Sequence, residues 1–214
     1  MKVIPAVANW TENYFDMWRK SIVMWKTVAS TLLLDYDYFL AGGDDLYVIV
    51  ENLRELLSSS VVRKLTRNGK DPIYLGRKLN QNKYISFHCG GPGYVLNRAA
   101  VVVLNNVLND ARQLCLPDFQ TSVEDVLVAF CLKQAGILPT DIFDEEGLNL
   151  FHPLSPGASY AGRSWGWYKK MANNFQVGVQ CCSNRSVSFH NIKPASYMRA
   201  LHRVVYHRDQ VGGL

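Results

Sequence analysis

The stretch "DYDYFLAGGDDLYVIVENLRELL" runs from Asp35 to Leu57. Its first half is rich in aromatic and aliphatic residues suited to a pleated surface. It predicts a strand over residues 36–42 that enters a turn at Gly42-Gly43. Two adjacent carboxylates follow, Asp44 and Asp45. Val48, Val50, Leu53, Leu56 and Leu57 then recur at helical spacing, which predicts a helix over 47–58 ended by Ser58–Ser60. Strand, glycine turn, acid pair and helix in that order belong to an α/β protein. The acids have two readings. They are solvated turn residues that a helix N-terminus favours, or they hold a divalent cation at the carboxyl end of a strand.

Upstream, residues 10–34 read as a helix. Trp10, Tyr14, Met17, Trp18, Ile22, Trp25 and Val28 recur every three or four residues, and Thr11 or Asn13 caps it. This aromatic stripe reads as core packing. Downstream, Pro72–Asn80 reads as a strand and Tyr84–Asn97 as an extended, glycine-rich segment. Arg98–Leu114 reads as a helix with Asn97 as its N-cap. Gln120–Ile137 is the strongest helical pattern, with Thr121 and Glu124 at capping-box spacing and Gly136 at its end. "RSVSFH" (Arg185–His190) reads as a strand and Ser196–His207 as a last helix. Linkers are short and no repeat appears, so residues 1–214 are expected to form one compact α/β unit.

The 214 residues are 48% hydrophobic and carry a formal charge of +5. A chain of this kind buries a sizeable core. Its Lys and Arg residues are scattered, without basic runs interleaved with aromatics, so nucleic acid is not an expected partner. "MKVIPAVANW" is not a signal peptide, because its apolar run is short and Pro5 breaks it. No run approaches the 18 apolar residues of a membrane span. The five cysteines (Cys89, Cys115, Cys131, Cys181 and Cys182) contain no CxxC, which speaks against a zinc ribbon. Two glycosylation sequons begin at Asn9 and Asn184; such triplets are common by chance.

Four further segments carry chemistry-bearing residues. Glu124 and Asp125 open a helix about 100° apart, so they are not expected to face one substrate together. Glu124 suits the capping box, which leaves Asp125 as the better general base; both acids also suit a purely structural role at a helix start. His190 ends its strand on the face opposite Val187 and Phe189. It is a metal ligand or an ordinary satisfied histidine. "GGPGYVL" (Gly90–Leu96) lets a ligand approach the backbone at Gly90, Gly91 and Gly93, or is a simple bend. "SWGWYKK" supplies Trp165, Trp167 and Tyr168, aromatic faces for a sugar or part of the core.

Taken together, "FLAGGDDLYVIVENLR", "GGPGYVLNR", "SVEDVLVAFCLKQAGI", "LFHPL" and "CCSNRSVSFHNI" resemble, in this order, the core 1 β1,3-galactosyltransferase family. That family lies in the wider fringe-like group of β1,3-glycosyltransferases. The resemblance covers about residues 14–207. It implies an α/β GT-A-type nucleotide-sugar-binding fold, incomplete at the N-terminus, without the first βαβ portion and the membrane anchor. It implies inverting transfer of galactose from UDP-galactose to the 3-hydroxyl of N-acetylgalactosamine on O-glycoproteins. It also implies Mn2+ as cofactor, the lumenal side of the Golgi membrane as location, and admits a homodimer.

Residue by residue, the resemblance makes Asp45 and His190 metal ligands and Asp125 the catalytic base. Asp44, Gly90, Gly91 and Gly93 would lie against the nucleotide sugar. Glu124, Trp165, Trp167 and Tyr168 would lie near the acceptor. Cys115 and Cys131 match a family disulfide, and Cys181-Cys182 match a double cysteine whose partners partly lie elsewhere. Gly43 stands where the family pattern has its first acid. Two other outcomes stay open: a non-catalytic, chaperone-like relative, and a fringe-like N-acetylglucosaminyltransferase.

Overall fold

The computed structural model describes residues 13–206. Trp10, Thr11, His207 and the Asn9 sequon therefore lie outside the described residues. A short 3-10 turn capped by the Asn13 side chain leads into α1 (Met17–Thr31). Trp18, Ser21, Trp25 and Val28 form its buried face, as the three-and-four spacing demands. Then come β1 (Tyr38–Ala41), β2 (Tyr47–Val48), α2 (Val50–Ser58) and α3 (Ser60–Leu65). The expected helix over 47–58 therefore starts later. Tyr47 and Val48 are drawn into a strand by pairing with a distant segment, which local periodicity cannot reveal.

The predicted strand Pro72–Asn80 divides into β3 (Tyr74–Gly76) and β4 (Lys78–Asn80). β5 (Ser86–His88) forms a hairpin with β4, and β6 (Tyr94–Asn97) runs directly into α4 (Arg98–Leu108). Asn97 caps α4 by accepting from Ala100 N–H at 3.0 Å. α4 stops six residues before the expected Leu114, and turns with Gln113 and Leu116 at positive φ follow. α5 (Glu124–Gln134) ends as predicted at Gly136, φ +77°. There Gly136 N–H bonds Lys133 O and Ile137 N–H bonds Leu132 O, a Schellman stop. β7 (Thr140–Asp141), β8 (Phe151–His152), α6 (Pro156–Tyr160), α7 (Gly166–Met171), β9 (Ser188–Phe189) and α8 (Ala195–Tyr206) complete the order.

The architecture is α/β with small mixed sheets. The largest has the order β1-β6-β3-β7, antiparallel except for β3 with β7. Its register sets Phe39 beside Leu96 and Leu40 beside Val95. Side chains alternate across a strand, so Phe39, Tyr74, Tyr94 and Leu96 join one core with Trp18 and Trp25 of α1 and Val101, Leu104 and Val128 of α4 and α5. Leu75 and Val95 join a second core with Val62, Phe151 and Val187, packed on by Tyr38 and Leu40. The central strands are thus buried on both faces. A second sheet, β2-β9-β8, is covered by Tyr197, Met198, Leu201 and Val205 of α8.

Candidate active site

The turn after β1 and the pairing of β2 with β9 bring Asp45 to His190. In that antiparallel register Tyr47 faces Phe189, so residues just before Tyr47 lie opposite residues just after Phe189. Ile192 N–H closes the corner on Asp45 O at 3.0 Å. Asp45 is buried, and its Oδ1 lies 3.2 Å from His190 Nε2. His190 Nδ1 lies 3.0 Å from Pro153 O. A carbonyl there can only accept, so Nδ1 carries a hydrogen, which leaves Nε2 as the ring nitrogen that faces Asp45 and is available to a cation. This backing carbonyl comes from "LFHPL", whose own His152 is buried, bonded to Ser186 Oγ, and pushed down to about 3 by desolvation.

Asp45 Oδ1 and His190 Nε2 suit a divalent cation in donor type and spacing. Ligands at adjacent corners of an octahedron with bonds of about 2.2 Å stand roughly 3 Å apart. Among the described residues no three His, Cys, Asp or Glu side chains gather as a metal site. An ion held here would take its other positions from water or ligand oxygens. Asp45 Oδ2 is meanwhile 3.0 Å from Lys193 Nζ. Asp44 is exposed at the turn, and Gly43 presents no side chain.

The glycine loop joins this corner to α5. A Cβ on Gly91 would lie 2.5 Å from His190 Nδ1, and one on Gly90 would lie 2.8 Å from Glu124 Oε1 and 3.3 Å from Asp125 Cβ. Both glycines are therefore required by close approach. Gly90 N–H also donates to Asp125 Oδ2 at 2.8 Å. Gly93 has φ +77°, and a Cβ there would meet Ala41 O at 2.9 Å. The loop is held from below by Ser188 Oγ donating to Pro92 O at 2.6 Å.

Glu124 and Asp125 depart from expectation. The capping box is not formed: Thr121 Oγ1 accepts from Val123 N–H instead. Glu124 turns inward, and its Oε2 accepts from Ser21 Oγ and Tyr94 OH, each at 3.3 Å. Trp25 Nε1 in turn donates to Tyr94 OH. The long Glu side chain overcomes the 100° offset, so both carboxylates reach Gly90. Desolvation, with the Asp125 charge adding to it, pushes Glu124 up to about 8. Desolvation also raises Asp125, against the lowering hydrogen bonds from Gly90 and Val126 N–H. Burial thus outweighs the helix N-terminus, and the pair is more basic than surface carboxylates.

Trp165 and Trp167 stack in parallel, centroids 5.8 Å apart and planes 9° apart, both partly exposed. Tyr168 does not share their surface. It is buried, and its OH accepts from Arg77 Nε at 3.1 Å. Arg77 is itself buried and bonds Asn149 and Asn174 O. Tyr168 instead lines a small cavity with His152, Pro153 and Phe175. Cys115 and Cys131 are bonded, joining the loop before α5 to its last turn. Cys181 and Cys182 bond each other rather than distant partners, and Cys89 is a buried thiol.

Ser21, Tyr94, Pro153 and Lys193 are the site neighbours that sequence reasoning missed. Tyr94 and Pro153 sit inside recognised motifs, but only the fold shows what they touch. Ser21 was hidden in an apolar stripe, and Lys193 in an unremarkable turn.

No family model matches the chain. Curated relatives do. A glycoprotein-N-acetylgalactosamine 3-β-galactosyltransferase 1 of Xenopus laevis is 30% identical over 86% of this chain and 51% of its own length. A human N-acetyllactosaminide β-1,3-N-acetylglucosaminyltransferase 4 is 26% identical over 69% of this chain and 40% of its own. Human chondroitin sulfate synthase 3 is 26% identical over 96% of this chain and 22% of its own. The chain thus spans about half the length of the first relative, and less of the others. With the motifs in order along these strands and helices, the chain belongs to the β1,3-glycosyltransferases that include the glycoprotein-N-acetylgalactosamine 3-β-galactosyltransferases.

Proposed function

We propose that this chain is an inverting hexosyltransferase of GT-A type that moves galactose from UDP-galactose to the 3-hydroxyl of N-acetylgalactosamine on glycoproteins. The first relative's name supports the transferred sugar, the 3-linkage and the acceptor. The observation that carries the site is the Gly90-Gly91 pair: Asp125 bonds the first glycine and His190 packs on the second. A base candidate and a diphosphate-binding corner therefore meet on successive residues.

In this reading Asp125 accepts the proton of the acceptor 3-hydroxyl as that oxygen bonds the anomeric carbon. The bond from that carbon to the UDP oxygen breaks on the opposite face, and UDP leaves with the electron pair. The raised affinity of Asp125 for protons suits this role, and its bond to Gly90 N–H orients it. Glu124, held by Ser21 and Tyr94, fills the buried space beside Asp125, and its charge when ionised acts on the same corner. A manganese ion held by Asp45 and His190 would supply positive charge to the departing diphosphate. Trp165 and Trp167 offer a flat surface for an acceptor sugar. The cysteine pairs suit the Golgi lumen; among the described residues no helix is long and apolar enough to cross a membrane.

Calorimetric titration with UDP, with and without manganese, tests the reading. Manganese should tighten UDP binding, Asp45→Ala should remove that gain, and Asp125→Asn should bind UDP normally. Absence of UDP binding both with and without manganese would favour the chaperone-like alternative.

A further inference from the structure

Asp45 is shared by two nitrogen groups, and only one of them suits metal ligation. Oδ1 faces His190 Nε2, while Oδ2 faces the Lys193 ammonium at 3.0 Å. The turn that delivers Lys193 is fixed in place. Asn191 adopts φ +60° and Ile192 N–H bonds Asp45 O, so the chain folds back over the carboxylate. Asn tolerates that left-handed geometry better than most residues.

The Lys193 side chain is 66% exposed against 11% for Asp45. Ion pairs with so exposed a partner add little stability. An ammonium has three donors, and Asp45 takes one, so the outer donors can reach a ligand. On the Oδ1 side Gly43 offers only a backbone, and a Cβ there would meet nothing but Asp45 Oδ1 within 4 Å. The mouth of the corner is therefore open beside Gly43, and Lys193 stands at it as an exposed ammonium, paired with Asp45 and also under the charge of Asp44. The outer donors of that ammonium suit an anion that brings its own oxygens.

We propose that the Lys193 ammonium contacts the diphosphate of the nucleotide sugar, so that part of the nucleotide affinity needs no divalent ion. This rests on the donor reading above and adds a residue and a partial metal independence to it. Asp45 then has two tasks, holding Lys193 in place through Oδ2 and facing the metal position through Oδ1. Gly43 matters because a carboxylate there would repel the diphosphate once the metal was removed.

The test measures UDP and uridine affinity in EDTA and in manganese for the wild type, Lys193→Met and Lys193→Arg. Manganese affinity alone is read in parallel by electron paramagnetic resonance. Expected is measurable UDP binding in EDTA that Lys193→Met weakens about tenfold, the size of one charge-assisted contact. Lys193→Arg should retain most of it, uridine affinity should not move, and Lys193→Met should bind manganese as well as the wild type or better. Equal UDP affinity for Lys193→Met and wild type in EDTA, or complete loss of wild-type binding in EDTA, overturns the proposal; manganese-dependent binding would then survive and keep the donor reading. A wild type that binds UDP in neither condition refutes the donor reading, and this inference with it.

Discussion

Replacing Gly91 by alanine perturbs the site through one methyl group. The new Cβ would stand 2.5 Å from His190 Nδ1, 2.7 Å from Cε1 and 2.8 Å from Cγ. Gly91 is not in the left-handed region, so alanine strains no backbone torsion and the whole cost is contact. The ring cannot yield freely, because Nδ1 is bonded to Pro153 O and Nε2 faces Asp45. Relief requires the ring to move by most of an ångström, which forfeits the Pro153 bond, worth about 1 kcal/mol. Residual overpacking adds about 1–2 kcal/mol. At this chain length a loss of about 2–3 kcal/mol lowers Tm by roughly 4–12 °C. The assay is thermal unfolding by calorimetry, paired with the histidine side-chain resonances, of which only His190 should shift strongly. A Gly91→Ala variant with unchanged Tm and an unmoved His190 signal would refute the close packing of the loop on this histidine, and with it the reason given for a glycine there.

Three further outcomes follow from the same geometry. Asn97→Ala should cost about 3 kcal/mol in chemical denaturation, because the buried side chain caps α4, accepts from Ile73 N–H and donates to Asp71 O; a loss under 1 kcal/mol would contradict this. Glu124 holds a proton in the folded state that the unfolded chain releases near 4.5. Its stabilising effect is therefore complete below 4.5 and lost as pH rises to about 8, so Tm should fall between pH 5.5 and 8 and Glu124→Gln should flatten that fall; an equal slope in the variant would show that Glu124 does not titrate there. Gly136→Ala should cost about 1 kcal/mol by the same unfolding assay, since φ is +77° while nothing lies within 4 Å of its Cβ; a neutral result would refute the left-handed stop of α5.

Much of this was legible where a local rule decides the outcome. Asn97 and Gly136 announce the ends of α4 and α5 through cap chemistry, and Trp18 and Trp25 announce the buried face of α1 through spacing. The β2 strand was not legible, because Tyr47 and Val48 extend only by pairing with Ser188 and Phe189, some 140 residues away. Glu124 misled for a related reason. Its spacing from Thr121 satisfies the capping box, but a buried partner set of Ser21 and Tyr94 outcompetes a solvent-side cap. Asp45 and His190 could be nominated from motifs, whereas the register that joins them and the Lys193 ammonium beside them belong to tertiary structure.

The most direct test of the central claim is sugar transfer by this chain and by Asp125→Asn. UDP-galactose would be supplied with a peptide carrying N-acetylgalactosamine on threonine, and the linkage of the product read by mass spectrometry and NMR. The account predicts a β1,3-linked disaccharide from the wild type. It predicts a loss of at least about a hundredfold in Asp125→Asn, the span of a lost general base, with UDP affinity intact. Equal turnover by the two proteins would contradict the assignment of Asp125, and a wild type that binds UDP yet transfers no hexose to any acceptor would contradict the enzyme itself.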